Sequence, residues 1–311
     1  MNRIQHHILL YLKGIGMGIA DMIPGVSGGT IAFITGIYEE LVHSISELDR
    51  ESLQLLWRKR FSDCWRKVNG TFLLTVTAGI STSLLLLAGS MMFLLKHHAI
   101  ITLSFFFGLI VMSIPLMLRK IKWSKGTVLS FALGVALAYL FTVATPVQTP
   151  DTVLLVFLAG AIAIIAMVIP GVSGVFILLF IGKYQTIVAA LTEGNLSVIL
   201  IFIMGCMVGL IGISKILTKI LHAYHPVMMA LLSGFMIGAL NKVWPWRSVI
   251  EYATNRKGDQ IAVFDKSVLP WHFLTATGKD PQLFQAILMM ALGILLVVAT
   301  EKIAVRLKTK L

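Results

Sequence analysis

The order proline, glycine, valine, serine, glycine occurs twice, as Pro24-Gly25-Val26-Ser27-Gly28 and as Pro170-Gly171-Val172-Ser173-Gly174, 146 residues further on. Both copies interrupt long apolar stretches. Proline ends an incoming helix at or before the preceding residue, and glycine permits tight turns and close approach of a ligand to the backbone. A serine placed after them can cap an outgoing helix. The first turn of such a helix offers free N–H groups and the positive end of its dipole, a combination suited to phosphate or carboxylate. One copy alone is no more than a kinked helix. Two copies in matched context point to a paired polar feature and make both strings candidate anion contacts. A packing motif that brings helices together through glycine is the competing explanation. The copies are unequal: Gly29 and Thr30 follow the first, Val175 and Phe176 the second, and Asp21 corresponds to Met167.

Few other residues in the apolar runs could do chemistry. Asp21 is a carboxylate where carboxylates are expensive and by default functional. It could take a coupling proton or a sodium ion, or cap backbone N–H groups of the turn. Glu39 and Glu40 follow Ser27 by 12 and 13 residues, roughly 18 Å along what reads as one outgoing helix. Glu39 is the candidate gate or ion-pair partner, and Glu40 a solvated end residue. Lys183 could hold an anion as a point charge or snorkel to the interface. Tyr38 and Tyr184 read as packing or interface residues, and Lys215 and Lys219 as an i, i+4 pair near a helix end. His6, His7, His97 and His98 lie at segment ends in adjacent pairs whose side chains diverge on a helix, so no metal site is expected. Cys64 and Cys206 make neither a disulfide nor a metal framework. With no Ser–His–Asp pattern and no metal-spaced cluster in the apolar runs, the residues describe neither an enzyme nor a protein with a resident cofactor.

The elements that must position these residues follow from hydropathy. The chain of 311 residues is 57% hydrophobic and 13% charged, too apolar for a soluble domain and suited to a polytopic membrane protein. Spans of about 20 residues are predicted near 70–95, 99–118, 127–145, 196–217, 226–242 and 283–300, with broken segments near 8–46 and 153–191. The offset of 146 also aligns Ala20 with Ala166, Ile31 with Ile177, Gly36 with Gly182 and Tyr38 with Tyr184. Beyond the loop 47–69 it falls to 126, matching Gly79 with Gly205 and Gly108 with Gly234. One membrane domain thus divides into two repeats, 1–148 and 149–311, each a broken segment plus three spans. The segment 243–282 reads as a loop whose Trp244, Trp246 and Trp271 rest on the membrane interface. No small-residue cleavage site follows the first apolar run, so no removable leader is expected.

The net charge of +12 reflects loop bias and not nucleic-acid binding. Arg3, Lys13, Lys215, Lys219, the clusters at 50–67 and 119–125, and the tail at 302–310 fall on one side, which the positive-inside rule makes cytoplasmic together with both termini. The first broken segment then enters and leaves by one face, as a re-entrant helical hairpin. Three spans follow, so the second repeat starts from the opposite face. The expected fold is an all-α polytopic membrane protein built as an inverted repeat, an arrangement of transporters that alternate access about a midplane site. Glycine-rich spans allow a homodimer.

The string GIADMIPGVSGGT at 18–30, GIYEEL at 36–41, and the second IPGVSG followed by GKY at 182–184 resemble the polyprenyl-phosphate transporter family. The resemblance covers nearly the whole chain. It implies translocation of undecaprenyl phosphate across the bacterial cytoplasmic membrane, which recycles the lipid carrier after peptidoglycan and other cell-wall synthesis. The head group would ride the paired hairpin tips while the prenyl tail stays in the bilayer. The residues by themselves leave open an ion-coupled transporter of a small soluble anion.

Overall fold

The computed structural model describes residues 3–119, 121–144, 147, 149–254 and 260–309. The first half contains α1 (Arg3–Asp21), α2 (Gly28–Ile34), α3 (Tyr38–Ser46), α4 (Arg50–Trp57), α5 (Phe61–Lys67), α6 (Gly70–His97), α7 (Ala99–Leu118) and α8 (Lys125–Val143). The second contains α9 (Val153–Val168), α10 (Gly174–Phe180), α11 (Tyr184–Glu193), α12 (Leu196–Val243), β1 (Arg247–Thr254), β2 (Gln260–Ser267), α13 (Pro270–Thr277) and α14 (Leu283–Thr309). Helices α6, α7, α8, α12 and α14 are each long and apolar enough to cross a bilayer, so the chain is a multi-pass membrane protein.

The predicted spans near 70–95, 99–118 and 127–145 correspond to α6, α7 and α8. Those near 196–217 and 226–242 are the two limbs of α12, which breaks at Tyr224 (φ −135°, ψ 44°), two residues before Pro226. His98, 126 residues earlier, joins α6 to α7 with nearly the same backbone (φ −134°, ψ 40°). The repeat is therefore a repeat of conformation as well as of letters.

Both broken segments turn by the same device. Val26 N–H donates to the Ile23 carbonyl at 3.1 Å and Val172 N–H to the Ile169 carbonyl at 3.2 Å. Each closes a four-residue turn with proline second and glycine third, and Gly25 and Gly171 both have φ +88°. That is a type II turn, whose third position needs positive φ. The outgoing helix is not continuous, which corrects the placement of Glu39 some 18 Å along it. Gly36 (φ +73°) and Gly182 (φ +70°) end α2 and α10 after two turns. The bonds Ile37 N–H to Ala32 O (2.9 Å) and Lys183 N–H to Leu178 O (2.8 Å) complete Schellman caps. The chain then bends, by 107° between α10 and α11.

The all-α expectation misses an antiparallel pair of strands, β1–β2, with Arg247 opposite Ser267. The tryptophans of that region do more than rest on an interface. Trp246 is buried against Phe273 and Ala286 and donates to the Pro281 carbonyl, while Trp244 donates to the Val268 carbonyl, both at 2.8 Å. Trp271 alone of the three is well exposed.

Small residues set the helix pairing. A Cβ on Gly18 of α1 would meet the Ile80 carbonyl of α6 at 2.8 Å, one turn beyond the place where Gly14 lies on Val76. On α12, Gly205 lies against Phe157 of α9 and Gly209 against Ala161. Contacts advance together in both pairs, so α6 runs alongside α1, and the first limb of α12 alongside α9, in the same sense. The second limb of α12 runs with α8, from Ser130 on Val227, through Gly134 on Gly234, to Thr142 on Asn241. Gly293 of α14 in turn packs on Phe105 and Leu109 of α7. The last long helix of each half thus packs on the middle long helix of the other. Hydrocarbon gives helices no hydrophobic reason to associate, so close packing through glycine carries these pairings. Replacing Gly205 by Ala, which drives a Cβ into the Phe157 carbonyl, is expected to lower stability by about 1–3 kcal/mol. Gly212→Ala, facing open space, should leave it unchanged or raise it by up to about 1 kcal/mol. Thermal melts in detergent distinguish the two.

Candidate functional site

The two turns meet. Gly171 N–H donates to Thr30 Oγ1 at 2.8 Å, and Ser27 Oγ donates to the Ile169 carbonyl at 3.4 Å. Gly29 is a necessity of the contact, because a Cβ there would stand 2.6 Å from the Val168 carbonyl oxygen. Ser27, Thr30 and Val26 are fully buried, and Val172, Ser173, Gly174 and Pro170 are buried as well; Pro24 is exposed. Side chains of the first turn thus partner backbone groups of the second, 141 and 142 positions away in sequence, where the chain leaves the helical path.

The two tips differ in how their helix starts are satisfied. Ser27 is the N-cap of α2, its Oγ accepting from Thr30 N–H at 3.3 Å. Asp21 Oδ1 accepts from Gly28 N–H at 2.6 Å. The first turn of α2 is therefore occupied by the protein's own groups, with the carboxylate placed where a helix start favours negative charge. In the second repeat Met167 lies against Gly174, where a Cβ would meet its Cγ at 2.7 Å. Ser173 is the N-cap of α10 but makes no side-chain capping bond. The second tip borders a narrow cavity lined by Gly25, Thr142, Gly171, Ser173, Phe176 and Lys242.

Lys242 is not among the candidates the sequence singles out. Its Nζ donates to Asp265 Oδ1 on β2 at 2.6 Å and lies 4.6 Å from the centre of the Phe176 ring. The signal for it was a lysine inside the last turns of a predicted span, where a charge needs a reason. Lys183, the other intramembrane cation, is fully buried. Its Nζ donates to the carbonyls of Thr149 (2.7 Å) and Pro150 (2.6 Å) and to Asp151 Oδ1 (2.6 Å). An ammonium has three donors, and all three are taken, so Lys183 clasps the start of the second repeat and has none left for a ligand in this structure. It does not reach the tips.

Glu39 lies away from the tips, on α3, where Oε1 is 2.9 Å from His225 Nε2 at the head of the second limb of α12. This pair borders a cavity of about 380 Å3 lined also by Tyr38, Phe33, Lys122 and Pro226. Tyr38 is 2% exposed and its hydroxyl has no hydrogen-bond partner among the described residues. No cluster of three or more histidine, cysteine or acidic side chains suited to a metal occurs among the described residues.

Residues 17–261 match the family described as undecaprenyl phosphate translocase-like. A protein of Vibrio cholerae serotype O1 named polyprenyl-phosphate transporter is 40% identical over 303 residues, covering 97% of this chain and 98% of its own. A protein of Staphylococcus aureus with the same name is 33% identical over 253 residues, covering 75% of this chain and 85% of its own. No solved structure matches. The chain belongs to the undecaprenyl phosphate translocase-like family, whose named relatives are transporters and not enzymes.

The geometry makes Asp21 a cap through its acceptor oxygen. Asp21→Ala should lower stability by about 1 kcal/mol, as loss of a helix cap does. Asp21→Asn, which keeps an acceptor for Gly28 N–H, should melt close to wild type in detergent. An equal loss in both would mean that the charge, and not the acceptor, is what the tip requires.

Proposed function

We propose that the protein carries undecaprenyl phosphate across the bacterial cytoplasmic membrane and so returns the lipid carrier for further cell-envelope synthesis. The observation that carries this reading is the meeting of two like-built turns inside the membrane domain of a chain whose relatives are named polyprenyl-phosphate transporters. Backbone that leaves the helix at membrane depth belongs beside protein or a polar path, and glycine-lined turns let an anion approach it closely. The phosphate passes the junction formed by Gly25, Ser27, Gly28, Thr30, Gly171, Ser173 and Gly174, while the prenyl tail stays in lipid.

The halves are an inverted repeat of re-entrant hairpins. The direction of packing supports this. Helix α6 runs with α1, α8 with the second limb of α12, and α9 with the first limb. If consecutive spans alternate, α6 and α8 point one way and the first limb of α12 the other, so α1 and α9 enter from opposite faces. The positive-inside count puts the loop 47–69 and both termini in the cytoplasm. The cavity beside Glu39 and His225 then opens inward, and the tips on the β1–β2 side are closed, which is an inward-facing state. Ion coupling, if present, is carried by a proton or sodium ion.

Two experiments test this. Cells lacking the protein and any other carrier of this lipid should accumulate undecaprenyl phosphate at the outer face, read with a probe that binds the exposed head group. Wild type should clear it. Ser173→Leu, which fills the cavity at the second tip, should not, at equal abundance in the membrane. Unchanged surface lipid without the protein would remove undecaprenyl phosphate as the substrate. Separately, in a background lacking Cys64 and Cys206, Glu47→Cys should react with an impermeant thiol reagent only from the cytoplasm and Thr192→Cys only from outside. Reaction of both from one side would contradict the inversion.

A further inference from the structure

We infer that Lys242 is the receptor for a phosphomonoester head group on the β-hairpin face of the protein, exchanging its carboxylate partner Asp265 for the phosphate. The inference rests on the transport reading above and names a residue and an exchange that the reading does not contain.

Lys242 stands where both hairpins converge. Its stem covers the first turn, since a Cβ on Gly25 would lie 2.8 Å from its Cγ, and its ammonium sits over Phe176 beside Ser173 of the second. A flexible four-carbon stem carrying a point charge can swing between neighbouring acceptors, unlike a planar guanidinium fork. Among the described residues, Lys242 and Arg247 share the carboxylate of Asp265, and the three side chains are only 12%, 10% and 23% exposed. A partly buried cation that shares its counter-charge with a second cation is an invitation to an anion, because desolvated charge is stable only when paired.

The exchange is possible because Asp265 does not depend on Lys242. Arg247 holds it through two nitrogens, Nε on Oδ2 and Nη2 on Oδ1, the latter at 2.9 Å. Arg247 is itself fixed, with Nη1 donating to the Asn241 carbonyl and to Ser267 Oγ at 3.0 Å, and Ser267 Oγ donating to Asn241 Oδ1 at 2.8 Å. Removing one partner from a buried ion pair usually leaves an uncompensated charge, a loss of several kcal/mol. Here the bidentate Arg247 keeps the carboxylate paired, so Lys242 can leave it for a phosphate without that penalty. Burial alone would raise the Asp265 carboxyl, but Arg247 first and then Lys242 hold it below its ordinary range. Arg247, the larger of the two influences, stays in place when the lysine departs. Asp265 also sets a threshold, because a weakly charged head group would not displace it.

The test uses the full chain in detergent with geranyl phosphate and inorganic phosphate as probes, titrated by calorimetry. Lys242→Gln should weaken geranyl phosphate binding about tenfold or more, the size of one lost charge-assisted hydrogen bond. Asp265→Asn, which removes the competitor, should tighten it. Binding unchanged by Lys242→Gln overturns the inference, and so does Asp265→Asn binding no better than wild type, since the pair is then only a clamp. If Lys242→Gln gives no folded protein, Asp265→Asn decides alone by the same criterion. Wild type that clears the carrier from cells but whose geranyl phosphate affinity ignores Lys242→Gln leaves transport standing and removes this exchange. Equal affinity for the two probes keeps Lys242 as a phosphate receptor and removes the lipid from the reading of function.

Discussion

A chain that leaves the helical path inside hydrocarbon must find partners for every freed backbone N–H and C=O, since no water is there to take them. In this protein side chains of the first departure satisfy backbone groups of the second. Thr30 Oγ1 accepts the N–H of Gly171, Ser27 reaches the Ile169 carbonyl, and Gly29 leaves room for the Val168 carbonyl to come close. The first turn satisfies its own helix start, through Asp21 on Gly28 N–H and Ser27 on Thr30 N–H. The duplication in the sequence thus has a structural use: the second broken segment completes its hydrogen bonding on side chains of the first.

The rest of the fold braces that point. Glycine contacts bring α6 onto α1 and the first limb of α12 onto α9, fixing each hairpin to a long helix of its own half. The last long helix of each half crosses to the other, α8 onto α12 and α14 onto α7. The halves are interlocked by these two crossings. Two polar contacts lie at opposite ends of the second limb of α12: Glu39 with His225 at its head, which joins the two halves, and Lys242 with Asp265 at its foot, within the second half. Both are polar contacts that an arriving anion or a change of state can break, whereas the glycine contacts are not.

Much of this could be read from residue types. Proline and glycine in fixed order gave the turn and its place, because a type II turn needs them at its second and third positions, and Ser27 as cap followed from the same logic. The spans were legible because apolar runs of membrane length have few alternatives. Gly36 and Gly182 had been aligned as repeats, yet the end they impose on α2 and α10 was missed. Glycine inside an apolar run reads equally as packing or as a cap, and only the positive φ decides. The β1–β2 pair escaped because eight-residue strands of mixed charge carry no clean alternation. Lys183 and Lys242 show where pattern reading stops. Both are lysines in apolar runs, and the sequence could not say that three acceptors surround the first while the second shares a carboxylate with Arg247. Those partners come from residues 149–151 and 265, brought together by the fold alone.

The most direct measurement is made on purified protein in sealed vesicles carrying a short-chain polyprenyl phosphate and, in parallel, the corresponding alcohol. The amount of each in the outer leaflet is followed with time after the outer pool is depleted. Phosphate passage through the paired tips predicts that the protein re-equilibrates the phosphate and leaves the alcohol at the rate of protein-free vesicles. Equal movement of both lipids, or movement of neither, would contradict it.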